Sequence, residues 1–174
     1  MPRNRSSRAL LFALAAMPSL ACSSSHDSSA DQNAITAGVL LEGDATTAQL
    51  SAVLSRKPLD WDWAGGQFDT PDDEATLAAD TPASFGWHAD PPAFAGADGV
   101  VTTYLLAFNA SDNSDVLRVF TTLPEYTPDE TAWSKLVAAS QPITSSITTS
   151  HFIGAELPQA GGPFIGQTIT LTIE

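Results

Sequence analysis

The chain holds a single cysteine, Cys22, among 174 residues, so it cannot close an intramolecular disulfide or build a site of paired thiolates. Positive charge is equally scarce. Lys and Arg number seven against twenty Asp and Glu, and Arg3, Arg5 and Arg8 fall within the first eight positions. From Cys22 onward only Arg56, Lys57, Arg118 and Lys135 oppose all twenty carboxylates. Such a surface repels phosphate backbones and anionic headgroups, which argues against a nucleic-acid partner and against purely electrostatic attachment to a membrane. Long apolar runs are missing too. The longest, Ala9 to Met17, rises about 14 Å as a helix, less than half of a hydrocarbon core of ~30 Å. HExxH, GxGxxG, a phosphate loop and the Gly-x-Ser-x-Gly elbow are all absent.

What is present is enough for a packed core. Hydrophobic residues make up 43% and charged ones 16%, a balance that separates the chain from disordered sequences. The length suits one domain of ~100 to 150 residues plus a tail. Twelve prolines and eleven glycines point away from an all-helical fold.

The N-terminus has the parts of an export signal: three arginines, nine apolar residues, then Ser19-Leu20-Ala21 before Cys22. It resembles a bacterial lipoprotein signal, in which the Cys becomes the lipidated first residue of the mature chain. Leu20 stands two residues before the Cys where that family carries its Leu three before. Ordinary signal cleavage at the same bond is the alternative reading. The resemblance implies removal of residues 1–21, a lipid on Cys22, and residence at the outer membrane or cell surface; the alternative leaves the protein soluble in the periplasm or secreted. Residues 22–32, rich in Ser and without a large apolar side chain, read as a tether.

From Thr81 onward, period-two alternation predicts strands. Phe85 and Trp87 share one face with Ala83 and Ala89, while Ser84, Gly86, His88 and Asp90 take the other. Tyr104, Leu106 and Phe108 alternate in the same way, and Ser111 to Asp115 has hairpin composition before Val116 to Thr122. Ile143 to Thr149 is β-branched, and Ile165, Ile169, Leu171 and Ile173 alternate with polar residues and share a face. One segment reads as helix: Thr127-Pro128-Asp129-Glu130 has capping-box spacing, and Trp133, Leu136 and Val137 follow at i, i+3 and i+4, which predicts a short helix over about 128–138. Residues 33–66 form an N-terminal extension, with an edge strand at Ile35 to Leu41, a helix at Thr46 to Leu54 and a strand through Leu59, Trp61 and Trp63. The fold class expected is all-β: an antiparallel sandwich over 67–174 in which each strand buries one face.

From Thr70 the runs TPDDEATL and TPASFGW, then Tyr104, Ile143 to Phe152, the GGPFIG turn and Ile165 to Ile173, resemble a fibronectin type III or immunoglobulin-like module. That resemblance implies a β-sandwich with Trp87 in its interior and Tyr104 on the third strand. It implies no activity, because such sandwiches host unrelated functions. The helix around Trp133 departs from the family's usual strand in that region.

Side chains able to carry chemistry are few. Asp60-x-Asp62 opens like a calcium loop, but Pro71 stands where the bidentate Glu is required. Two acidic turns remain as weak calcium candidates: Asp69, Asp72, Asp73 and Glu74, and Asp112, Asn113 and Asp115. Trp61 and Trp63 suit a sugar-stacking platform, although an indole pair more often packs in a core. His88 and His151 would have to anchor any unrecognised catalytic site. The reading is a non-catalytic envelope lipoprotein without cofactor that presents a binding or structural module to an envelope protein or glycan. Its alternatives are a calcium-stabilised adhesion module, a carbohydrate-binding module, and an enzyme built around His88 and His151.

Overall fold

The computed structural model describes residues 37–60, 64–90 and 99–174. The export signal, Cys22, the tether and the Trp61/Trp63 pair lie outside the described residues. In chain order the elements are β1 (Val39–Glu42), α1 (Thr47–Leu54), β2 (Gln67–Thr70), β3 (Ala75–Leu77), β4 (Phe85–His88), β5 (Val100–Asn109) and β6 (Asp115–Thr121). Then come β7 (Glu125–Tyr126), α2 (Glu130–Ala138), β8 (Ile143–Ile153) and β9 (Phe164–Ile173). The chain is mostly β, as its alternation predicts.

Two sheets form. The larger runs β1-β6-β5-β8-β9-β3 and the smaller β2-β4-β7. The expectation of purely antiparallel pairing needs correction, since both outer pairs of the larger sheet, β1 with β6 and β3 with β9, are parallel. The second follows from a change of sheet. β2 pairs with β4 in the small sheet, the chain turns at residues 71–74, and β3 emerges beside β9 in the large one. Asp73 fixes that turn, its carboxylate accepting the N–H of Thr170 at 2.7 Å and of Glu74 at 3.1 Å. Glu74 N–H in turn reaches the Thr170 carbonyl at 2.8 Å.

The sheets enclose one core. Phe85, Trp87 and Tyr126 from the small sheet meet Tyr104, Leu106, Phe108, Val119, Ile147, Ile169 and Leu171 from the large one. Phe85 contacts Phe108 edge-on at 5.0 Å and Trp87 contacts Tyr104 at 5.6 Å between ring centres. Helix α2 adds Ala132, Trp133 and Leu136 to this core, and the Trp133 indole donates to the Ala79 carbonyl at 2.9 Å. Strands were expected to bury one face each, but a second cluster of Leu50, Val53, Phe120, Phe152 and Leu157 unites α1 with the large sheet. Residues 39–54 therefore contribute both an edge strand and a covering helix to the same body.

Two local expectations are also corrected. Helix α2 starts later than its Thr127 cap implied: Asp129 is the N-cap, its carboxylate accepting the Ala132 N–H at 2.7 Å, while the Thr127 hydroxyl donates to Ser84 at 3.1 Å. Ile165 does not share the face of Ile169. Opposite Ser146 and Thr148 on β8, β9 runs from Thr168 to Ile165, so it carries one extra residue, and that bulge turns Ile165 outward while Phe164 is buried. The bulge forms where backbones touch: a Cβ on Gly166 would lie 2.6 Å from the Gly66 nitrogen, and Gln167 N–H bonds the Gly66 carbonyl at 2.8 Å.

Candidate functional site

Four of the carboxylates singled out as calcium candidates are engaged within the fold. Asp69 meets His88 Nδ1 at 2.8 Å. Asp73 holds two backbone N–H groups, as described. Asp112 accepts from the Ser114 N–H at 3.0 Å and its hydroxyl at 2.6 Å, and these bonds hold its carboxyl below the usual carboxylate range. Asp115 pairs with Arg118. Asp72 and Glu74 lie on the turn between β2 and β3, and Asn113 takes the left-handed conformation in the hairpin, with φ 64°. Among the described residues no three His, Cys, Asp or Glu side chains converge on a point that could hold a metal ion.

The two histidines occupy different sheets and different environments. His88 is on β4 with an exposed ring against Asp69. His151 is on β8, 1% exposed, with Nδ1 at 3.1 Å from the Thr102 hydroxyl and its ring 6.0 Å from that of Phe164. Burial disfavours the imidazolium and pushes its pKa below the ordinary 6.5. Trp61 and Trp63, the stacking candidates, and Cys22 fall outside the described residues.

A feature the sequence did not single out is a groove of about 350 Å³ lined by Arg56, Lys57, Leu59, Gln159 and Gly162. Helix α1 ends at Leu54 and delivers Arg56 to the far turn, where Nη1 donates to the Pro158 carbonyl at 2.8 Å and the Gly162 carbonyl at 3.5 Å, and Nη2 to Leu157. Leu59 then clips the same turn, donating to Pro163 at 2.8 Å and accepting from Ile165 at 2.8 Å. Arg56 and Lys57 were visible as the only adjacent bases after Cys22. Their opposite wall lies 101 to 106 residues along the chain, beyond any local signal.

No family model matches this chain, and neither the curated proteins nor the solved structures contain a match to it.

Proposed function

We infer that the protein is an exported, lipid-anchored envelope component whose folded part is a non-catalytic immunoglobulin-like or fibronectin-type binding or structural module. The observation that supports the module part of this reading is the strand order. With β2, β4 and β7 as strands A, B and E, the facing sheet becomes A′-G-F-C-C′ from β3 through β9, β8 and β5 to β6, which follows the two-sheet partition of immunoglobulin-like domains. The change of sheet between β2 and β3 corresponds to the division of A from A′. Trp87 on B packs edge-on against Tyr104 on C in the core, which supports this reading. On this reading β1, α1 and α2 are additions to the module.

The anchor rests on Arg3, Arg5 and Arg8, the apolar run and Cys22. A single acyl chain gives only marginal membrane binding, so stable anchoring requires the multiply acylated cysteine of lipoproteins. Fractionation of a bacterial host tests it: wild-type protein should sediment with membranes and Cys22→Ser should not. Equal distribution of the two forms would refute the anchor.

A further inference from the structure

We propose that the groove between Arg56-Lys57 and the turn at residues 157–162 binds a small organic anion, a carboxylate carried on a short apolar body. The proposal is independent of the module reading. Its volume, about 350 Å³, falls at the lower end of the ~300 to 1,000 Å³ typical of small-molecule sites. Its chemistry is out of character with the rest of the surface. Arg118 is neutralised by Asp115, whereas Arg56 makes no carboxylate pair and Lys57 makes neither a hydrogen bond nor an ion pair among the described residues. Three carbonyl oxygens orient the Arg56 guanidinium but carry no net charge, so among the described residues two adjacent positive charges stand without a counter-ion at one concavity.

The same carbonyls make the site pre-formed. Arg56 is held before any ligand arrives, so binding does not bear the entropy of ordering it. Leu59, whose backbone is fixed by Pro163 and Ile165, offers an exposed apolar side chain as one wall, and Gln159 adds an amide to the other. The acidity of the whole molecule selects the ligand's charge. Twenty carboxylates repel a dianion more strongly than a monoanion, and only an organic body gains from Leu59, so a monocarboxylate with an apolar group is favoured over inorganic phosphate.

The test uses the full-length chain at constant ionic strength, titrated with benzoate, inorganic phosphate and benzylamine while backbone amide resonances of Gln159 and Gly162 are followed. Benzoate should shift both saturably and more tightly than phosphate, and benzylamine should leave them unmoved. Lys57→Gln, which removes no hydrogen bond or ion pair among the described residues, should weaken benzoate about fivefold or more. Leu59→Asn should weaken benzoate while leaving the weak response to phosphate unchanged. Any of four results overturns the proposal: no saturable shift with benzoate, phosphate at least as tight, benzylamine equally tight, or Lys57→Gln binding benzoate as wild type does.

Discussion

Trp87 sits where the two sheets meet, edge-on to Phe68 at 6.4 Å and to Tyr104 at 5.6 Å, and only 2% exposed. Its Nε1 has no hydrogen-bond partner among the described residues, so the indole acts there as apolar bulk. Trp87→Ala should therefore cost ~3 to 5 kcal/mol in urea unfolding. Trp87→Phe should cost clearly less, since it forfeits volume but no bond; equal losses would show that the N–H matters. His151 makes a second prediction. The folded state depresses its pKa while the unfolded chain titrates near 6.5, so its stabilising contribution is complete above 6.5 and declines as pH falls toward the folded value. In urea melts between pH 7 and 5, His151→Asn should flatten that decline; an unchanged slope would assign it to other groups. Alternation alone located Trp87. The burial of His151 was not legible, because what packs against it, Gly161 and Phe164, comes from the following turn and strand and lies outside the alternation of β8 itself.

Elements were legible where one face had one fate. β4 alternates cleanly and folds as read; β5 and β6 form where read but bury consecutive residues, Thr103 with Tyr104 and Val119 through Thr121, because both faces of the large sheet are covered. β9 changes phase at its bulge, a consequence of the Gly66 and Gly166 backbones touching that no local pattern announces. Helix ends were legible only in part. Thr46 and Gln49 form a reciprocal capping box at α1, while Thr127 and Glu130, with the same spacing, do not, because Asp129 takes the cap and Thr127 turns to Ser84. Asp129→Ala should accordingly cost ~1 kcal/mol and Thr127→Ala about 0.5 kcal/mol or less. Thermal denaturation of the two variants checks this, and the reverse ranking would restore Thr127 as the cap. At the acidic turns, Asp69, Asp73, Asp112 and Asp115 each already serve a protein partner, so a wrapping ion would have to displace those bonds. Melting in millimolar calcium should match melting in sodium chloride of equal ionic strength. A calcium-specific rise, abolished by Asp72→Asn or Asp115→Asn, would instead favour a calcium-stabilised adhesion module.

Across the whole molecule, the large sheet is the organising unit, with the main core and α2 on one face and α1 with Leu157 on the other. Covering both faces explains why β8 buries four consecutive residues, Thr149 through Phe152, a run that strict alternation would not produce. The contribution of residues 39–54 was hard to read because β1 is short and its Leu40 and Leu41 are exposed, so its place depends on pairing with β6. The groove was least legible of all, since its charges are local to Arg56-Lys57 but its shape comes from the turn before β9. The proposed role joins this body to a lipid through Cys22. Mass spectrometry of the N-terminal peptide from membrane-derived protein tests that claim most directly: the account predicts a chain beginning at Cys22 with a diacylglyceryl group on its sulfur, and an unmodified Cys22 or retention of residues 1–21 would contradict it.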